Sequence, residues 1–334
     1  MIIDCHSHVG VDLLMYLRGE FPYGQHLISM VTEGRALGVD RWMVFPMVTN
    51  LSLDLKKLRK GKISYPGFER VPYAFENHRL LHEIYELFPD AGRFTLPLVM
   101  VDPMRETAGQ AVALRKLRRQ FPFYGLKIQS TLTQADINCL QKQGRVFIEL
   151  AEEWNLPFLI HSSVDPADKW AQAKDILRIA EANPRVRFCL AHSCRFDREC
   201  LDRVQELPNT WFDCSAHRIH CMAAVQNLPA VAPRKCRIPA DYTKPERVLR
   251  DLTDAYPDKL MWGSDAPFYS YVGRLGKAVY SLVSTYPDEV AALKAQKKHV
   301  IQRIAEKNAL EFLRLKDERI LNARLPRDPQ MRVG

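Results

Sequence analysis

The chain of 334 residues lacks several features that would assign it to a large class of proteins. It contains no run of about 18 apolar residues, which argues against a membrane-spanning helix. None of its eight cysteines forms a Cys-x-x-Cys pair, and Cys5, Cys189 and Cys214 lie in apolar runs, as is typical of reduced, buried thiols. The N-terminus lacks a basic segment followed by a cleavage site, so we expect a cytoplasmic protein without a secretory signal.

The formal net charge of +9 is compatible with an anionic small-molecule substrate, with a nucleic-acid partner or with no specific partner. The basic residues are scattered, apart from one cluster. That cluster consists of Lys56, Lys57, Arg59, Lys60 and Lys62. Scattered charge favours a solvated basic loop over a groove for nucleic acid, so we expect neither a nucleic-acid nor a membrane partner. A homodimer is compatible with the sequence, which leaves the oligomeric state open.

Eight short apolar runs alternate with longer amphipathic segments. The runs are residues 2–8, 39–46, 94–101, 124–128, 157–161, 186–192, 210–215 and 259–265. The helical segments are 105–120, 135–154, 166–182 and 288–315. Asp165 before Pro166 is a suitable N-cap for the third of these helices. This alternation predicts an α/β protein with a parallel sheet, and eight strands favour a (β/α)₈ TIM barrel. A doubly wound sheet is the alternative, but no Gly-x-Gly-x-x-Gly follows the first strand.

The predicted barrel occupies residues 1–315 as a single domain, and residues 316–334 form a C-terminal extension. Two connections are too long for simple turns, namely residues 48–72 after the second strand and 216–243 after the seventh. Both leave the carboxyl end of a strand, where barrel enzymes build their active sites. Long loops in compact domains are usually functional, so we expect both loops to contribute to a site.

Polar side chains end four of the predicted strands. They are His6 and His8 on the first strand, His161 on the fifth, His192 on the sixth and Asp265 on the eighth. Residues two apart in a strand point to the same face, so His6 and His8 converge. In a closed barrel all of these strand ends meet around one mouth. Three imidazoles and one carboxylate suit Zn²⁺, or Mn²⁺ and Fe²⁺ less tightly.

The same segments resemble the amidohydrolase superfamily. They are Ile3-Asp4-Cys5-His6-Ser7-His8, His161-Ser162-Ser163, Ala191-His192-Ser193 and the run from Trp262 to Phe268. Residues 304–313 are also similar to the terminal helix of the amidohydrolase-related (amidohydrolase 2) branch. That branch includes metal-dependent hydrolases, lactonases and the aminocarboxymuconate-semialdehyde decarboxylase group. The resemblance covers about residues 1–315 and indicates the branch without indicating the substrate.

The resemblance implies a site with one divalent metal ion. In such a site His6, His8 and His161 would be metal ligands. Asp265 would be a ligand or near-ligand that also takes a proton from the metal-bound water. His192 would hydrogen-bond to that water or to the substrate oxyanion and then protonate the leaving group. This assignment agrees with general chemistry, because a bound cation lowers the pKa of its water toward neutrality.

The expected enzyme is therefore a metal-dependent hydrolase of a small polar ester, lactone or amide that carries a carboxylate. A non-oxidative decarboxylase of an aromatic or unsaturated carboxylic acid is the alternative, since one fold supports both chemistries. A non-catalytic barrel with a structural metal is disfavoured, because structural zinc sites are closed and usually rich in thiolates.

Two cationic residues are candidates for contact with the substrate. Arg218 follows the seventh strand, and its guanidinium matches a carboxylate in a fork, although ordinary loop polarity also accounts for it. Lys127 lies in the fourth strand, where binuclear members of the superfamily carry a carboxylated lysine that bridges two cations. The narrower branch looks mononuclear, so the resemblance implies no bridging role here. We therefore expect Lys127 to be a packing residue or to contact the substrate.

Overall fold

The computed structural model describes residues 1–47, 54–58, 60–62, 64, 71–275 and 278–315. The strands are β1 (Ile3–Val11), β2 (Gly24–Gln25), β3 (Arg41–Pro46), β4 (Thr95–Met100), β5 (Gly125–Ile128), β6 (Phe158–Ile160), β7 (Phe188–Leu190), β8 (Thr210–Asp213), β9 (Leu260–Met261), β10 (Tyr271–Leu275) and β11 (Ala278–Leu282). Eight of them, β1 and β3–β9, correspond to the eight apolar runs of the sequence, so all eight predicted strands are present.

These eight strands form a closed parallel barrel. β1 pairs with β3, and each later strand up to β9 pairs in parallel with the one before it. The segment after β9 returns to β1, where the Cys5 N–H donates to the Trp262 carbonyl at 3.1 Å and Ser7 pairs with Ala266. β2 lies antiparallel on the end of β1, and β10 and β11 form a separate hairpin. The predicted TIM-barrel fold is confirmed.

The α-helices cover the outside of the barrel and fill its connections. They are α1 (Leu13–Arg18), α2 (Leu27–Ala36), α3 (Leu55–Leu58), α4 (Ala74–His82), α5 (Pro89–Gly92), α6 (Thr107–Gln120), α7 (Ser130–Thr133), α8 (Arg145–Trp154), α9 (Ala173–Ala182), α10 (Arg198–Glu206), α11 (His217–Val225), α12 (Pro245–Ala255), α13 (Tyr286–Lys294), α14 (Lys298–Gln302) and α15 (Asn308–Leu313). A π-helical turn, Glu83–Leu87, continues α4, and another, Arg303–Lys307, links α14 to α15. Within the described ranges, no helix has the length and hydropathy of a transmembrane segment.

Alternation of side chains along the strands divides the core into two layers. In β4, Leu96, Leu98 and Met100 pack inside the barrel, whereas Val99 packs outward among the helices. Strands that are buried on both faces read as continuous apolar runs, which is why the sequence showed them clearly. A polar residue that follows such a run is therefore placed at the end of the barrel.

Several predicted boundaries are wrong. The helix predicted from residue 166 begins at Ala173, because the Asp165 carboxylate accepts the Ala167 N–H in a local turn. The helix predicted over 135–154 begins at Arg145, after a separate 3₁₀ turn at Ile137–Gln141. The single helix predicted over 288–315 is instead α13 and, after a break at residues 295–297, a continuous run of α14, the π-helical turn and α15.

The predicted long connections have different outcomes. The connection after β8 (residues 216–243) is not a plain loop, since it contains α11 and a 3₁₀ turn at Arg234–Cys236. The loop predicted over 48–72 lies largely outside the described residues, and the predicted extension 316–334 lies wholly outside them.

Candidate metal centre

The carboxyl end of β1 places two imidazoles side by side. His6 and His8 are both buried, with ring centroids 5.4 Å apart. The Nδ1 atom of His6 lies 2.9 Å from Asp213 Oδ2, and the Nδ1 atom of His8 lies 3.3 Å from the Pro46 carbonyl oxygen. Both rings are therefore oriented through Nδ1, which leaves the two Nε2 atoms for a shared ligand.

Asp265 completes this group from the other end of the chain. Its N–H donates to the His6 carbonyl at 2.8 Å, and its Oδ1 lies 3.1 Å from His6 Nε2 and 3.5 Å from His8 Nε2. One ligand atom from each of the three residues lies within 4.8 Å of the other two. The close approach needs Gly263, because a Cβ there would lie 2.9 Å from His6 Cβ.

The geometry of these three residues fits a divalent cation. A carboxylate only accepts hydrogen bonds, so His6 carries its proton on Nδ1, toward Asp213, and its Nε2 lone pair faces Asp265 Oδ1. Two lone-pair atoms 3.1 Å apart require a cation or a proton between them. Burial and Lys127 oppose a proton on His6, but Asp213 and Asp265 outweigh them and raise the pKa of His6. Imidazole nitrogen and carboxylate oxygen are donors that Zn²⁺, Mn²⁺ and Fe²⁺ accept.

Asp213 is a site residue that the sequence reasoning missed. It is fully buried at the end of β8, and its second oxygen, Oδ1, accepts the N–H groups of His192 and Ser215 at 3.0 Å each. A carboxylate that orients a ligating histidine from behind is typical of metal centres. An Asp that ends an apolar strand, as in Trp211-Phe212-Asp213, is the signal that could have identified it.

Asp4 joins the first strand of the barrel to the segment after the last strand, next to His6 and Asp265. Its Oδ1 accepts the His6 N–H at 3.2 Å and the Ser264 N–H at 2.9 Å. Its Oδ2 accepts the hydroxyls of Ser264 and Tyr286 at 2.6 and 3.0 Å. These bonds fix the backbone next to both His6 and Asp265.

His192 lies beside Asp265, and His161 lies one imidazole further away. His192 Nδ1 is 3.7 Å from Asp265 Oδ2, and His192 Nε2 is 3.0 Å from His161 Nδ1. The other nitrogen of His161, Nε2, lies 3.1 Å from Arg195 Nη2. Three of the four predicted ligands are thus brought together, while both ring nitrogens of His161 contact other side chains. The role of His161 as a ligand stays a prediction.

The contact with Arg195 determines which ring nitrogens of His161 and His192 carry a proton. A guanidinium only donates, so His161 Nε2 accepts, and the neutral His161 ring donates through Nδ1 to His192. Burial and then Arg195 lower the pKa values of His161 and His192 well below their usual value. Both rings are therefore neutral at pH 7. Burial opposes a charge on Asp265, but its contacts with His6 and His8 outweigh it and hold the pKa of Asp265 well below its usual value.

A left-handed turn follows β7 and carries two of these residues. From His192 to Phe196 every φ angle is positive, between 46° and 65°. None of the five residues is glycine, and each residue with a Cβ costs roughly 1–2 kcal/mol in this region. The turn places His192 and Arg195 on the same side, toward Asp265 and His161. Strain of this kind concentrates at functional sites.

A cavity of about 320 Å³ opens beside the three converging residues. Its polar lining includes His8, His161, His192, Arg195 and Asp265, and its apolar lining includes Ile219, Ala223, Leu228, Pro229, Phe268 and Leu282. The volume is at the lower end of the range for small-molecule sites. A compact molecule with an apolar body therefore fits it.

The two predicted substrate-contacting residues lie outside the lining of this cavity. Arg218 lies in the first turn of α11 and forms an ion pair with Glu246 at 2.7 Å. Lys127 is buried inside the barrel, with Nζ 3.3 Å from His6 Nε2 and 4.7 Å from the centre of the Phe45 ring. Burial lowers the pKa of Lys127 to about 8. Among the residues that the structure describes, the arginine or lysine that does line the cavity is Arg195, which the sequence reasoning did not single out.

Comparisons with known proteins agree with this architecture. The chain is similar in structure to 5-carboxyvanillate decarboxylase from Sphingomonas paucimobilis, with a TM-score of 0.56 and 14% identity over 94% of this chain and 99% of that one. It is also similar to an amidohydrolase 2 from Bifidobacterium longum subsp. infantis, with a TM-score of 0.53 and 14% identity over 94% and 99% of the two chains. At such identities, the structural likeness supports the fold alone.

The sequence comparisons identify the family. A search of curated proteins gives no match. A profile described as amidohydrolase, that of the amidohydrolase 2 family, matches residues 3–315. This range includes every strand of the barrel and all the residues that converge at its mouth. The chain therefore belongs to the amidohydrolase 2 family.

Proposed function

We propose that this protein is a metal-dependent hydrolase that acts on a small, carboxylate-bearing ester, lactone or amide. Membership of the amidohydrolase 2 family supports a metal-dependent enzyme of the amidohydrolase type. The observation that carries the proposal is the position of Asp265. One of its oxygens, Oδ1, lies between two imidazole Nε2 atoms, and the other, Oδ2, lies 3.7 Å from His192.

His6, His8 and Asp265 Oδ1 would hold the cation, and His161 would be a further ligand only through a ring nitrogen that now contacts His192 or Arg195. A divalent cation bound there supplies a water with a pKa near neutrality and polarises the bond to be broken. Asp265 Oδ2 accepts the proton of the attacking water and then returns it to the leaving group. His192 is neutral and carries its one N–H on Nδ1, beside the Ser215 carbonyl and Asp265 Oδ2, which suits it to hydrogen-bond to the attacking water.

Asp213 and Asp4 take no part in the reaction but keep these groups in position. Asp213 fixes the ring of His6, and Asp4 joins the backbone at His6 to that at Ser264. The neutral wall that includes Ile219, Leu228 and Phe268 limits the water that surrounds a bound substrate. The reacting groups therefore act in an environment of low polarity, where their charges interact strongly.

A non-oxidative decarboxylase is the second candidate, and one observation favours it. As far as the described residues line it, the cavity combines a mostly apolar surface with one guanidinium, which suits the carboxylate of an aromatic or unsaturated acid. The structurally similar protein from Sphingomonas paucimobilis is a 5-carboxyvanillate decarboxylase. The same cation site serves either reaction.

The function is tested by product analysis with the purified protein. We expect about one divalent cation per chain, and loss of turnover after treatment with a chelator. A panel of carboxylate-bearing esters, lactones, amides and aromatic acids is incubated with the metal-loaded protein and analysed by mass spectrometry. Acid release without CO₂ supports the hydrolase, and CO₂ release supports the decarboxylase. Turnover that persists without metal would contradict both.

Asp213→Asn is expected to weaken metal binding by roughly 10- to 100-fold, because it removes the carboxylate that orients His6. The measurement is competition for Zn²⁺ with a chromophoric chelator. Asp254→Asn, the same change at an exposed position in α12, is the matched control and should bind Zn²⁺ as the wild type does. Equal affinities of Asp213→Asn and the wild type would show that His6 is not a ligand.

A further inference from the structure

Arg195 is a cation without an anionic partner among the described residues. Its Nε donates to the Ser162 carbonyl at 2.9 Å, its Nη2 donates to His161 Nε2 at 3.1 Å, and its Nη1 contacts His220 Nε2. None of the three partners is an anion, since one is a backbone carbonyl and two are imidazole nitrogens. A cation withdrawn from water is costly unless a carboxylate or another anion compensates it.

The nearest carboxylates are occupied elsewhere. Asp265 faces His6 and His8, and Asp168 accepts hydrogen bonds from the Thr131 hydroxyl at 2.6 Å and the Trp170 N–H at 2.9 Å. A guanidinium stays protonated at neutral pH, and Arg195 lines the cavity, so its charge is open to a molecule bound there.

The surrounding residues fix the guanidinium in place. The left-handed turn sets its backbone, and His161 and His220 accept from its two terminal nitrogens. His220 lies in α11, which also supplies Ile219 and Ala223 to the cavity lining. An arginine held in this way loses little side-chain entropy when it binds a carboxylate.

We propose that Arg195 is the anion-binding residue of the cavity and determines specificity for a monocarboxylate with a compact apolar body. The carboxylate binds the guanidinium, and the body packs on Ile219, Leu228 and Phe268. The reacting group then lies toward Asp265 and His192. This inference rests on the proposed function, because it concerns the same cavity, and it assigns to Arg195 the contact that the sequence suggested for Arg218.

The test uses benzoate and its neutral isostere benzamide as probes, with binding measured by isothermal titration calorimetry. Chelator-treated and Zn²⁺-loaded wild-type protein are both examined, so that binding to the cation is separated from binding to Arg195. We expect benzoate to bind the wild type at least tenfold more tightly than benzamide in both forms, as hydrogen bonds between charged groups imply.

Substitutions at Arg195 should remove this preference. Arg195→Met should bind the two probes equally, and Arg195→Lys should keep part of the preference because it keeps the charge. Arg198→Met, at an exposed position three residues later, removes the same charge and should behave as the wild type. If Arg195→Met does not fold, the wild type and Arg195→Lys still decide the matter.

Two results would overturn the inference. One is equal binding of benzoate and benzamide by the wild type, and the other is a preference that survives in Arg195→Met. Loss of the preference in Arg218→Met instead would assign the contact to that residue and also overturn the inference. Failure of the proposed function looks different, because a protein without turnover on any test compound would still bind benzoate through Arg195.

Discussion

Asp265→Asn is expected to lower kcat by roughly 10²- to 10⁴-fold, the usual contribution of a positioned proton acceptor. The amide keeps the size of the side chain and can still face His6 and His8 through its oxygen. It cannot take a proton from water, and its nitrogen would stand where Oδ2 faces His192 at 3.7 Å. Steady-state kinetics at saturating metal, with bound metal measured in the same samples, separates catalysis from metal binding.

The control for this variant is Asp254→Asn, which makes the same chemical change on an exposed helix surface and should leave kcat unchanged. A variant Asp265→Asn that retains its metal and turns over within a few-fold of the wild type would refute the proton-accepting role. It would also favour a reaction in which substrate binding alone, and not water activation, depends on this end of the barrel.

Glu289→Gln is expected to stabilise the protein by about 3 kcal/mol at pH 7. Burial raises the pKa of Glu289 from 4.5 to about 8, and one of its oxygens, Oε2, has no hydrogen-bond partner within the described ranges. Below pH 4.5 the residue is protonated in both the folded and unfolded states. Between pH 4.5 and 8 the unfolded chain releases a proton that the folded chain retains, so stability falls as the pH rises. Above pH 8 this loss of folding stability is complete.

Urea unfolding of chelator-treated protein between pH 5 and 9 measures this effect. The advantage of Glu289→Gln should be small at pH 5 and should grow up to pH 8. Glu246→Gln is the matched control, because Glu246 also contacts Arg218 but is only half-buried, and an ion pair open to solvent contributes at most about 1 kcal/mol. A stability difference between Glu289→Gln and wild type that is the same at every pH would show that Glu289 is ionised in the folded protein.

The strands and the triad of His6, His8 and Asp265 could be predicted because their signals are local. A strand buried on both faces is apolar along its length, and a polar residue at its end stands out. The predicted start of a helix at residue 166 was wrong, because an Asp followed by Pro is typical of a turn as well as of a helix N-cap. Asp165 accepts the Ala167 N–H in the turn, and the helix starts only at Ala173.

The place of Arg195 in the cavity could not be predicted, because it depends on a left-handed backbone turn that the local sequence does not indicate. The run His192-Ser193-Cys194-Arg195-Phe196 contains no glycine or asparagine, yet all five residues adopt positive φ angles. Arg195 and Arg218 each follow a histidine near the end of a strand, and they look alike in sequence. Their difference arises from tertiary partners, because Glu246 pairs with Arg218, whereas no carboxylate in the described part of the chain pairs with Arg195.

The position of Asp4 and Ser264, 260 residues apart, also has a consequence for the assembly of the protein. The candidate metal centre forms at the contact between the first and last strands of the barrel, so it is complete only after synthesis has passed Asp265. Contacts of such long sequence separation form late in folding. A cation that binds there adds its binding free energy to the closed barrel and not to an incomplete one. Metal supply would thus influence how much of the newly made protein reaches its final form.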